Sequence, residues 1–466
     1  MAGDFLRSHG IDIDAEMARI QNETPSSQHL EPKETLISNV YLPQTAPGSI
    51  WDVQIRNGKI DSISPCTTRP SIIPGKASLL TPSLCHPHIH LDKAFLLPHP
   101  RYSHLQIENG DFAEAMSLTG QAKANFEHED LVERGERLVE ESVAAGVTHM
   151  RAFVEVDAGV DMKCLTAGLQ LQNSWRGKCT IQLCAFAQLP LFSSSPGDGD
   201  GSIIRKLMET AAVKVEVVGS TPYVETDGEK MERNVDYMID LSIEKNLHLD
   251  FHLDYNIDRT TEPLVWYVVR TLKQKSWVAR TTDRTVVFGH CTRLTLFTPD
   301  EWKKLKDEIG DLPISFVGLP TSDLFMMRCE NRSRATLDVP NLIKDYDINA
   351  CLGINNVGNA FTPQGSCDPL TLACNGVGIY QSGTRQDVEL LFECISTRAR
   401  QAIGFGRHGQ SEARVDLQQN VGDQAHVLLF GSEKLEWRTR RSVSEAVYLY
   451  DHCRGRKGYL NGVATS

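Results

Sequence analysis

A chain of 466 residues is longer than one small core requires, so a large domain or a barrel with an appendage is expected. Its 48 basic and 60 acidic residues leave a net charge of −12, which argues against a nucleic-acid partner or an anionic membrane surface. No stretch approaches the ~20 apolar residues of a membrane span, no secretory leader is visible, and the 12 cysteines form no CxxC pair, so reduced thiols and a cytoplasmic location are expected.

Residues 1–34 read as a polar N-terminal extension, with one amphipathic helix predicted from Ile11 to Ile20. In residues 35–80, Val53 and Ile55, then Ile60 and Ile63, flank Asn57-Gly58. That pattern predicts a β-hairpin and the first part of a small β-sandwich. Residues 81–405 alternate strands with helices. The predicted strands are Leu84–Leu91, Thr148–Val156, Thr180–Gln188, Lys214–Tyr223, Leu247–Tyr255, Thr285–Cys291, Pro313–Leu319 and Asn349–Asn355. Helices are expected over Asp130–Ala145, Met231–Lys245, Pro299–Ile309 and Asp387–Ile403. Eight such alternations imply a parallel sheet, and periodicity alone leaves open whether it closes. Ser193–Ser202 reads as a mobile insert. Residues 406–466 return to β pattern, with short strands predicted in GDQAHVLLFGSE and VYLYDHCRGRKGYLNG as the second part of the sandwich.

The chemical signal begins at HPHIHLDK. Residues two apart on a strand share a face, so His88 and His90 project together and make half of a divalent-metal site. His86 falls on the same face by the same count. His252 and His290 follow apolar strand patterns near their C-terminal ends, where barrels place active sites. The eighth strand pattern ends with Asn355 and Asn356 at that level.

In order and spacing, HPHIHLDK, AFAQLP, VVGSTPY, FHLD, GHC, LPTSDLFMMR and GINNV resemble the cytosine deaminase-like amidohydrolases, over roughly residues 35 to 462. The resemblance implies an α/β fold, a (β/α)8 TIM barrel with a β-sandwich formed by both terminal segments. It also implies one metal ion, zinc or iron, on the C-terminal face of that barrel. His88, His90 and His252 match the family's metal-binding histidines, His290 the one that polarises the attacking water, and Gln188 a glutamine that contacts the substrate ring. Asp92 and Lys93 are expected to support His90.

Two positions depart from the pattern. The family's His-x-Asp-Glu is here His252-Leu253-Asp254-Tyr255, and a tyrosine with reference pKa near ~10 is a poor base at neutral pH. The strand-eight Gly-x-Asp-Asn is here Gly353-Ile354-Asn355-Asn356. Asn355 can offer a carbonyl oxygen to a metal and cannot act as a base. The expected reading is a hydrolase of a C–N bond in a small cyclic nitrogen compound, with His290, Tyr255 and Asp254 as catalytic candidates and Asn355 as a fourth ligand. A lyase, isomerase or cyclase using Tyr255 as proton donor, and a non-catalytic binding protein, are the alternatives. The expected partner is a small molecule, and the sequence leaves homo-oligomerisation open.

Overall fold

Eight consecutive strand segments are buried on both faces, the condition for a parallel sheet wrapped by helices. They are β5 (Leu84–His90), β6 (Val147–Glu155), β7 (Thr180–Ala187), β8 (Val217–Ser220), β9 (His248–Leu253), β10 (Val286–His290), β11 (Ile314–Gly318) and β12 (Ala350–Leu352). In the computed structural model, which describes residues 34–66, 77–328, 334–406, 416–431, 436–450 and 455–465, they pair in chain order from β5 to β12. The sheet then closes on itself: the His90 amide donates to Asn355 O at 2.8 Å and the Asn355 amide to His88 O at 3.1 Å. The seam of the (β/α)8 barrel therefore runs between the paired histidines and the asparagine of strand eight.

Local chemistry sets the helices between strands. Pro299–Ile309 starts at a capping box in which Thr298 and Glu301 satisfy each other's amides, with Pro299 in the first turn. His128–Ala145 ends at Gly146, φ 104°, where an added Cβ would lie 2.5 Å from Leu428 Cδ1. Only glycine both turns there and lets the terminal strands pack so close.

Both ends of the chain contribute to a second sheet. It orders β15 (Val463–Ala464), β14 (Lys457–Leu460), β13 (Val427–Leu429), β4 (Ser78–Pro82), β1 (Thr35–Tyr41), β2 (Trp51–Arg56) and β3 (Lys59–Pro65). Asn57 and Gly58 turn the β2–β3 hairpin with φ of 53° and 78°, the mirror-image turn that their sequence predicts. Val53, Ile55, Leu80 and Val427 pack in the core of this sheet.

Three elements differ from expectation. VYLY is not a strand: Val443–Tyr448 is helical, because the Ser442 side chain caps the Glu445 amide and nucleates a turn that outweighs the β preference of valine and tyrosine. The helix expected over Asp387–Ile403 is two, Arg385–Cys394 and Thr397–Ala402, broken where Ser396 leaves helical angles and bonds Phe392 O. Ser193–Ser202 is tied down rather than loose, with Asp198 buried and accepting from the Ile204 amide. The helix predicted over Ile11–Ile20 lies outside the described residues. Among those described, no helix is long and apolar enough to cross a membrane.

Candidate active site

At the C-terminal end of the barrel three imidazoles meet at one point. Nε2 of His252 lies 3.0 Å from Nε2 of His88 and 3.1 Å from Nε2 of His90. Burial holds all three rings well below the ordinary histidine pKa, with neighbouring cationic groups adding to it, so each offers a neutral ring with a lone pair. The rings are wedged by aromatic packing. Phe153 lies 4.3 Å from His88 and 5.0 Å from His90 between ring centres, and Phe186 lies 4.3 Å from His252. The glycine before His290 leaves room for this arrangement, since a Cβ on Gly289 would come within 2.8 Å of His88 Cε1.

Nδ1 of each of the three histidines is buried without a hydrogen-bond partner. Asn355 is poised beside them. Its Nδ2 donates to Ser322 Oγ at 2.8 Å, which leaves Oδ1 buried and unpartnered. A buried acceptor with no partner, such as this oxygen, is costly. One neutral imidazole nitrogen cannot satisfy two others at ~3 Å as well as a single cation can, and nitrogens bound to zinc at ~2.0–2.1 Å in a tetrahedral set stand at comparable separations. The donor set therefore fits one divalent ion, with Asn355 Oδ1 within the same pocket.

Sequence reasoning missed the partner of the fourth histidine. His290 Nδ1 bonds Asp323 Oδ1 at 2.8 Å, in a buried pair. Asp323 also accepts from Thr336 Oγ1 at 2.8 Å, and burial pushes its pKa up against the opposing pull of His290. With Nδ1–H held by the carboxylate, Nε2 of His290 is the free ring nitrogen. Tyr255 lies against that ring, 3.8 Å between centres, and burial pushes its hydroxyl pKa well up. His290 and Asn355 both sit at positive φ, 67° and 69°, backbone strain of the kind that collects at functional sites.

Other expected residues are placed elsewhere. His86 does not share the face of His88. A register shift between His86 and Ile89 interrupts the alternation, and His86 Nε2 bonds Ser142 Oγ at 3.0 Å on the flanking helix. Asp254 turns away at φ 49°, and its two oxygens accept from the amides of Leu264 and Val265 at 2.7 and 3.1 Å. Asp92 accepts from the Glu155 amide at 2.7 Å, and His90 Nδ1 takes no support from it. Lys93 pairs with Glu155 and donates to Gln188 Oε1 at 3.1 Å, in the wall of the pocket rather than behind His90. Lys123, on the helix Phe112–Lys123, pairs with the same Glu155 and with Asp157. That helix lays Phe112 over the site, 5.7–6.4 Å from the rings of Phe361, Tyr255 and Tyr223. The space left inside is about 20 Å³.

No family model matches the sequence. N-isopropylammelide isopropyl amidohydrolase of Pseudomonas sp. (strain ADP) is 23% identical over 411 residues, covering 86% of this chain and 92% of that protein. Among solved structures, 5-methylcytosine deaminase from Klebsiella pneumoniae, liganded with 5-fluorocytosine, superposes with a TM-score of 0.75 at 20% identity, covering 92% of this chain and 97% of that one. N-isopropylammelide isopropylaminohydrolase from Burkholderia multivorans gives 0.70 at 19%, covering 93% and 98%. The two structural likenesses establish the barrel fold with its accompanying sheet.

Proposed function

We propose that this chain, a cytosine deaminase-like member of the amidohydrolase superfamily, hydrolyses a C–N bond of a small cyclic nitrogen compound. The observation that carries the reading is the convergence of three neutral imidazole nitrogens, those of His88 and His90 lying 3.0 and 3.1 Å from that of His252, beside a fourth histidine anchored by Asp323. The similar proteins described above, an isopropyl amidohydrolase and a deaminase, are named for chemistry of this kind.

His88, His90 and His252, with Asn355 Oδ1, would hold one zinc or iron ion, which supplies Lewis-acid polarisation when bound. The chain's own residues handle position and protons. Gln188 and Tyr223 line the pocket at the level of the ring, and the phenylalanines of its mouth exclude water. As water adds to the ring carbon, its proton passes to His290 Nε2. The same nitrogen returns it to the departing amine as the C–N bond breaks. Asp323 keeps the imidazole in the tautomer this needs. Asp254 and Asn355 do not serve as bases here, the first because it caps a helix and the second because an amide has no basic nitrogen.

Metal content of the purified protein and amine release from a panel of cyclic amides, amidines and amino-substituted heterocycles test the reading. The expected result is about one zinc or iron per chain, and turnover that His290→Asn removes while metal stays bound. Activity that arises only after Asn355→Asp, on a panel where the metal-loaded native chain is inert, would overturn it.

A proton-transfer lyase or isomerase is the second reading, favoured by Tyr255, whose ring lies against His290 and whose hydroxyl burial keeps protonated. Unchanged turnover in Tyr255→Phe would dismiss it.

A further inference from the structure

The polar side chains that line the pocket beside the histidines narrow the substrate class, on the premise that the pocket takes a ring compound as proposed above. Lys93 is buried among them. One ammonium proton goes to Gln188 Oε1 at 3.1 Å and one to the Glu155 carboxylate, so a third is left for the pocket, where the Phe361 ring centre lies 5.3 Å from Nζ. Because Oε1 of Gln188 is turned to Lys93, its N–H2 end does the donating, and one of its hydrogens goes to the Tyr223 oxygen. Asn356 likewise presents its N–H2 end, since its Oδ1 accepts from Asn359 Nδ2 at 2.7 Å. The Tyr223 hydroxyl, accepting from Gln188, keeps its own proton to donate, with burial pushing its pKa up.

No aspartate or glutamate lines the pocket among the described residues. Glu155 and Asp157 are engaged by Lys93 and Lys123, and Asp92 by the Glu155 amide. Apart from the hydroxyl oxygens of Tyr223 and Tyr255, the acceptors lie at the histidine end, as Asn355 Oδ1 and the free nitrogen of His290. An amino-bearing ring edge pressed against this wall would set N–H against N–H and leave buried donors unpaired. An oxygen-bearing edge would satisfy them all, and a negative charge there would meet the lysine. We infer that the substrate faces Lys93, Gln188 and Asn356 with an acceptor-rich edge, an oxo-substituted or anionic ring rather than an amino-rich one.

Isothermal titration of the zinc-loaded full chain with two rings of one shape tests this. Barbiturate carries three oxygens and is an anion at neutral pH; triaminopyrimidine carries three amino groups. Barbiturate is expected to bind about tenfold tighter or more, the difference one charge-assisted hydrogen bond makes. Lys93→Met should erase most of that preference. Gln188→Glu, which keeps the shape and the partner of Lys93 but replaces a donor by an acceptor, should move it toward the amino ring, and it carries the test if Lys93→Met fails to fold. Equal or tighter binding of triaminopyrimidine by the native chain overturns the inference and leaves the hydrolase reading standing. If neither ring binds the zinc-loaded chain, the ring-compound reading itself falls, and the inference with it.

Discussion

Two layers of polar side chains fill the barrel, one above the other, and they are built on opposite plans. In the lower layer Arg151 donates to Gln182 Oε1 and to Asp250 Oδ2, each at 2.8 Å, and Gln182 donates to Ile403 O at 3.1 Å. All three side chains are buried, and Asp250 Oδ1 is their one atom without a partner. Two residues further along β9 stands His252, in a layer where three imidazoles share a single point. Charges that answer one another within the chain need nothing from outside. Three rings that share one focus have no such answer within the chain. The contrast separates a buried polar layer satisfied inside the barrel from one that is not.

The largest effect should come from breaking the lower layer. Arg151→Met leaves Asp250 buried and uncompensated and should cost about 3–5 kcal/mol in urea unfolding, while Arg151→Met with Asp250→Leu should recover most of it. A single substitution costing under about 1 kcal/mol would mean that the layer is not the structural one. The upper layer should behave the other way. Zinc at 100 to 1,000 times its dissociation constant should stabilise the native chain by about 3–4 kcal/mol and His88→Ala not at all, whatever the cavity left by the lost ring does to the metal-free variant. Zinc stabilising His88→Ala as much as its parent would assign His88 to packing.

Next in size is the pair that joins the upper layer to its support. Asp323→Asn keeps the shape but allows the other tautomer of His290, so turnover of a C–N substrate should fall by about 10²-fold or more with metal content unchanged. If the loss is fully accounted for by lost metal, Asp323 belongs to the binding layer instead.

How far these layers could be read from sequence depends on backbone regularity. The eight strands were legible because both faces are buried, and His88 and His90 because a strand repeats every second residue. The count failed where the backbone left that repeat: at the register shift that sends His86 outward, and at the positive φ that turns Asp254 to a helix N-terminus. Asp323 was invisible for another reason. It stands 33 residues from His290 in the first turn of the short helix Pro320–Met326, where an acid after a proline reads as an ordinary helix start. Lys93 was noticed, but which way it points depends on Glu155 and Gln188, two strand ends away.

The smallest effect concerns the roof over the upper layer. About 20 Å³ is room for little more than a water molecule, and a six-membered ring needs several times that, so a side chain must move before a substrate enters. Phe112 is the one to move. It is only partly buried, its ring touches Tyr223, Tyr255 and Phe361 edge to face, and it stands at the start of a helix whose far end is pinned by Lys123 to Glu155 and Asp157. A rigid far end and a packed but half-exposed near end make the first turn the place that yields. Phe112→Ala should therefore cost only about 1–2 kcal/mol in stability. It should raise the association rate of barbiturate by roughly tenfold in stopped-flow measurements, since mutants of one site vary in this rate by about 1–3 decades. It should leave zinc binding untouched, because the ring packs on Tyr223, Tyr255 and Phe361 rather than stacking on His88, His90 or His252. An association rate unchanged in Phe112→Ala would place the entry barrier elsewhere in the roof, with Phe361 the next ring to truncate.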